Sequence, residues 1–254
     1  MNPFPHTWNM KPGQTATRTF LADSHLAAAF ILGLQAKQIE QANPIRPSEE
    51  VRARHHAAVS GAVVLSAAFL EGFINELLAE TEELTIHGLL SALSRPAYRR
   101  IADLWNEGIP RAGRYRICDK YQITLLVGDC APFDKGAKQF QDAHLMCRLR
   151  NELVHLAPTW VIHSDEGGRD DHVMTKALHG LFAECPFAGP EDPWFPDRCL
   201  SAGCAAWAAE SALTFVRGFV ERFGVPGAGL WLKYRLPALA GVAVDPSESR
   251  WAAV

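Results

Sequence analysis

Apolar residues recur along this chain at spacings of three and four, and the runs break at proline, glycine and asparagine, so the pattern predicts helices almost throughout. The first covers Leu21 to Gln41, rich in alanine and leucine and stopped by Asn43-Pro44. Ser48-Glu49-Glu50 then has the form of a capped, acidic helix start. From Glu50 to Glu83 there is no proline, and glycine occurs only as Gly61 and Gly72, so this stretch reads as one long second helix. Its middle is apolar nearly all round, which predicts the central helix of a bundle.

Leu89 to Trp105 predicts a shorter helix interrupted near Pro96, followed by a Gly/Pro/Arg-rich connection from Ile109 to Tyr115. Ile117 to Val127 is an apolar segment of ambiguous period, read as a short helix. Lys135 to Leu156 is a strongly patterned helix stopped by Pro158. Thr159 to Pro196 mixes acidic residues with Gly and Pro and is expected to be mostly loop, with room for a short strand pair or helix. Asp197 to Phe223 predicts the last long helix, ended by Gly224 and Pro226. The expected architecture is all-α, an up-down helical bundle of four to five principal helices over residues 19–226. A flexible N-terminal arm, 1–18, and a C-terminal tail, 227–254, carrying Trp231 and Tyr234, are expected to flank it.

Composition narrows the partners more than the fold. A chain of 254 residues with 48% hydrophobic content can bury a sizeable core. Its formal net charge of -3 gives no global positive field toward nucleic acid, so any RNA contact has to be local, and no DNA partner is expected. Cys118, Cys130, Cys147, Cys185, Cys199 and Cys204 contain no C-x-x-C pair, so neither a disulfide framework nor a zinc site is predicted. The Pro-rich start lacks the apolar stretch of a signal peptide, and the uncharged apolar run Ala57 to Leu70 is too short to span a bilayer. A cytoplasmic protein without a membrane partner is the expectation.

The chemistry concentrates in the Lys135 to Leu156 helix. At about 100° per residue, Gln141, His144, Arg148, Asn151, Glu152 and His155 fall on one polar stripe, while Phe140, Ala143, Met146, Cys147, Leu149, Leu153 and Val154 line the rest. Arg150 falls among the apolar positions, where a guanidinium needs a partner. The second helix carries a matching exception, Glu71, the only charge between Arg54 and Glu76. Each therefore suggests the other as its partner. His55-His56 cannot both face one way on a helix and read as surface and half-buried residues rather than ligands. His163, Asp165, Glu166, Asp170, Asp171 and His172 are irregularly spaced and read as a solvated acidic loop. No metal and no cofactor is expected.

Arg150, Asn151 and His155 fit an R-x(4 to 6)-H pattern, and this segment resembles the active-site motif of the HEPN superfamily. The stretch Ala68-Phe69-Leu70-Glu71-Gly72-Phe73-Ile74-Asn75-Glu76 is similar to the second helix of many of these proteins. The resemblance implies a metal-independent endoribonuclease acting on unpaired RNA, with its site composed where two protomers of a homodimer meet. It also implies a setting in toxin–antitoxin or anti-phage defence, with an antitoxin or regulatory protein as a further partner. In that reading His155 moves protons near neutral pH, Arg150 binds the phosphate, and Asn151 orients one or the other. Arg148 and His144 would contact the RNA backbone, and Glu71 would support Arg150. A tyrosine frequent two residues after the motif histidine is absent here, where Ala157 stands.

Two rival readings stay open on the same residues. A HEPN-like helical module could bind nucleotide, RNA or a protein partner without catalysis, or Arg150 and His155 could serve only the fold. Exposure of the His155 side chain separates the extremes, since catalysis requires it open to solvent.

Overall fold

The computed structural model describes residues 19–44, 47–82, 88–110, 115–155 and 172–224. Among them all regular structure is helical: α1 (Ala22–Ala42), α2 (Glu49–Ala79), α3 (Arg95–Asn106), α4 (Ile117–Val127), α5 (Lys138–Val154), α6 (Val173–Leu178) and α7 (Ala202–Arg222), with short 3-10 turns at Glu80–Glu82 and Gly88–Ala92. The expected arm, the 159–171 part of the acidic loop and the C-terminal tail lie outside the described residues.

Local chemistry explains several helix ends. The Ser48 side chain accepts the Val51 N–H and starts α2. Pro96 begins a helix instead of interrupting one: it lies in the first turn of α3, where its missing N–H costs nothing, and Ser94 caps that turn through the Ala97 N–H. The last long helix starts later than its pattern predicts. Trp194–Arg198 forms a single π turn, and α7 begins only where the Ser201 Oγ accepts the Cys204 N–H at 3.1 Å. Gly224, at φ 69°, supplies the left-handed residue that follows α7.

α1 lacks a side-chain cap of its own. Its N-terminus is held instead by Glu76 near the end of α2, whose Oε1 accepts the N–H groups of Leu21 at 2.7 Å and Ala22 at 2.9 Å. At the opposite end Glu40 meets His55, so α1 and α2 run antiparallel along their whole length. Gly61 permits the close approach, because a Cβ there would lie 2.8 Å from Leu32 Cδ1.

α7 packs on both helices of this pair, and α5 packs on α7 and α2. The centre is aromatic. Tyr121 of α4 meets Phe215 and Phe219 of α7 edge-on at 4.9 and 4.8 Å, and Phe133 stacks on Phe215 at 4.4 Å. The Tyr121 hydroxyl donates to the Leu70 carbonyl at 2.7 Å, so a fully buried phenol is satisfied. An 18-residue stretch of α2 has a mean hydropathy of 1.9, enough by length and composition to cross a membrane, yet 56% of it is buried inside the protein. Burial against α1 and α7 accounts for that apolar surface.

Candidate functional site

α5 divides into two faces, as its pattern predicts, except at its end. Phe140, Ala143, Met146 and Leu149 are buried, whereas Gln141 and Asn151 are exposed and His144, Arg148 and Glu152 half-buried. Val154, grouped above with the apolar lining, is 52% exposed because α5 leaves the core at its last turn. His155 is the residue just past the helix, with φ -118° and ψ 23°, and its N–H still donates to the Asn151 carbonyl at 2.9 Å. Its side chain is exposed.

Arg150 does not sit with them. On the helix it lies about 140° from His155, within the arc of buried positions, and it is half-buried. Arg148 is only about 20° from His155 and shares its face. Helix geometry thus puts Arg148, Asn151 and His155 on one surface and Arg150 on the arc of buried positions, although both arginines are half-buried.

The expected Arg150–Glu71 pair is not formed. Glu71 Oε1 lies 2.8 Å from Lys120 Nζ, and Lys120 also donates to Asn75 Oδ1 at 3.2 Å. Lys120 is completely buried in α4, so its ammonium requires both acceptors from α2. Among the described residues no hydrogen bond or ion pair of Arg150 is found. Its nearest identified influence is on Cys147: the Cys118 thiol and burial push the Cys147 pKa well up, Arg150 lowers it, and Glu71 raises it. Lys120 escapes a sequence reading because it stands beside Asp119 in an apolar segment of ambiguous period, with nothing to say which neighbour it reaches.

The polar residues of the Ala68 to Glu76 stretch thus serve the fold. Glu71 and Asn75 hold Lys120, and Glu76 holds the start of α1.

A second group beside the stripe was not anticipated. Arg116, exposed at the N-terminus of α4, and Asp119 lie close enough to His144 to act on its titration. Burial lowers the His144 pKa, Arg148 and Arg116 lower it further, and Asp119 opposes them. His144 also stacks on Phe140, with near-parallel rings 6.3 Å apart. An imidazole whose charged form is disfavoured, near two guanidiniums with no ion pair among the described residues, suits an anion. α4 has no side-chain cap, so its first N–H groups add positive potential at the same place. Arg116 could have been suspected only by knowing that α4 begins beside the α5 stripe.

Toward the end of α5, His172 Nε2 lies 4.0 Å from Glu152 Oε2, and the His172 ring stacks on Phe195 at 4.3 Å. Of the acidic-loop residues, His172 alone is among those described, and it packs against α5 rather than pointing into a loop. No family model matches the chain, and no curated protein or solved structure shows significant similarity to it.

Proposed function

We propose that this chain is a metal-independent endoribonuclease of the HEPN type, acting as a homodimer whose site is composed from two α5 ends. The observation that carries the reading is the exposure of His155 and Asn151 just where α5 leaves the core, on the face that also presents Arg148. An exposed imidazole there is free to take the proton from a ribose 2′-OH, and its counterpart from the second protomer to protonate the leaving 5′ oxygen. Arg148, on the same face, binds an RNA phosphate near His155, and Arg116, beside His144 about 16 Å further along α5, meets a neighbouring backbone phosphate. His144 lies on the same face of α5 and can hydrogen-bond to the RNA backbone. Exposed Val154, next to His155, and exposed Val173, next to His172, offer apolar surface for the partner protomer. The up-down HEPN-type arrangement of the bundle, the cytoplasmic location and a defence setting with an antitoxin belong to the same proposal and rest on the resemblance.

The place of Arg150 on the buried arc favours a second reading, in which the same face binds RNA or nucleotide phosphate without cleaving it. Incubation of the purified protein with single-stranded RNA, beside His155→Ala, tests the choice. Cleavage leaving a 2′,3′-cyclic phosphate, resisted by a substrate deoxy at the scissile position and lost in His155→Ala, is the expected result. Binding of RNA without cleavage by the folded protein would establish the second reading, and cleavage of the deoxy substrate would overturn the mechanism. Sedimentation at micromolar concentration should show a dimer burying at least about 1,000 Å²; a monomer would rule out the composite site.

A further inference from the structure

Three side chains far apart in sequence converge where the end of α1, the start of α2 and the segment before α7 meet. A carboxylate oxygen of Glu40, a ring nitrogen of His55 and the sulfur of Cys185 all lie within 4.8 Å of one another. His55 is 3% and Cys185 8% exposed, so two of the three donors are inside the protein. The Glu40 side chain, 18% exposed, forms the solvent side. We propose that Glu40, His55 and Cys185 bind one divalent transition-metal ion of zinc-like preference, at a site separate from the α5 stripe.

The donor chemistry favours this class of ion. A thiolate with an imidazole and one carboxylate suits zinc and disfavours the hard, oxygen-seeking cations calcium and magnesium. One thiolate, one carboxylate and a neutral imidazole balance a doubly charged cation, which removes the cost of leaving net charge in a buried place. The fourth position faces the Glu40 side, where a water molecule can complete a tetrahedron.

The surroundings already orient the donors. Glu40 Oε1 accepts the Ala202 N–H at 2.7 Å from the first turn of α7 as well as contacting His55 Nε2 at 2.8 Å. That amide fixes the carboxylate from outside the cluster, the role such contacts play around metal ligands. The Ala188 N–H donates to the Cys185 carbonyl at 3.3 Å, closing the turn that carries the sulfur. The Phe187 ring closes the site against His55, with centroids 4.9 Å apart.

Tetrahedral zinc with bonds of about 2.0–2.3 Å places its donors about 3.3–3.8 Å apart. Loading therefore requires the His55 and Glu40 donors to separate by about half an ångström and the sulfur to close in. The Cys185 thiol proton leaves to solvent as the metal binds.

The experiment is cobalt titration of the full chain, with elemental analysis of the protein as purified. The expected result is about one zinc per chain as purified and, after exchange, one Co²⁺ with a near-ultraviolet thiolate-to-metal band and visible absorption of tetrahedral intensity. Cys185→Ser should abolish the near-ultraviolet band, and His55→Ala and Glu40→Gln should each weaken cobalt binding at least about tenfold. Cys130→Ser, outside the cluster, should leave the spectrum unchanged. Absence of the thiolate band in the folded natural chain would overturn the proposal without any variant. So would a band that survives Cys185→Ser.

Discussion

Lys120 Nζ sits 2.8 Å from Glu71 Oε1, and this contact joins α4 to α2 inside the bundle. The two ends are unequal, since Lys120 is fully buried while the Glu71 side chain is 34% exposed. Removing Glu71 leaves an ammonium inside the protein with only Asn75 Oδ1, whereas removing Lys120 leaves a carboxylate that water can reach. Glu71→Leu should therefore destabilise the fold by about 3–5 kcal/mol, and Lys120→Met by clearly less. The double variant should recover part of the larger loss, because contacting residues are coupled. Urea midpoints of the four proteins measure this, and purely additive losses would show that the pair is not coupled.

Glu76 provides α1 with the cap that its own sequence lacks. Glu76→Ala should cost about 1 kcal/mol, of the order of a lost helix cap. Amide hydrogen exchange should localise the loss to the first turn of α1. Unchanged protection there would mean that other groups hold that end.

The lowered pKa of His144 makes a signed prediction about pH. Between the folded value and the ordinary 6.5, the unfolded chain binds more protons at this site than the folded one, so stability rises with pH across that interval. The contribution is fully present above 6.5 and disappears as pH falls through the folded value. His144→Gln should flatten that part of a Tm-against-pH curve relative to the natural chain. Arg148→Ala should move the imidazole titration of His144 upward by NMR, with Arg116→Ala acting in the same direction.

If Arg148 and Arg116 bind phosphate, each should matter to RNA affinity regardless of base sequence. Alanine at either position should reduce the steepness of log K against log salt by about one phosphate contact. Fluorescence anisotropy with a single-stranded RNA measures it. Arg150→Met should leave the slope unchanged if its guanidinium stays on the buried side, and a slope reduced by Arg150→Met but not by Arg148→Ala would return the phosphate role to the motif arginine.

The sequence by itself determined the elements and the two faces of α5. Local signals suffice for these: Asn43-Pro44 follows α1 and Gly224 follows α7, Ser48 caps through its own next turn, and the three-residue spacing of Phe140, Ala143, Met146 and Leu149 states which side is buried. The same local logic left His155 at a helix end on the polar side, where the structure exposes it. Tertiary structure alone decided the partners. Glu71 and Arg150 are each visible as charges on apolar helices, but pairing depends on how each helix is rotated and shifted against the next, and neither quantity is written in the period of one helix. Lys120 therefore takes the place expected of Arg150, and Arg116 reaches His144 only because α4 begins beside α5. Glu40, His55 and Cys185 show the same principle most strongly, since about 130 residues separate the second from the third and only the packing of α7 against the α1–α2 pair brings their donor atoms within 4.8 Å of one another.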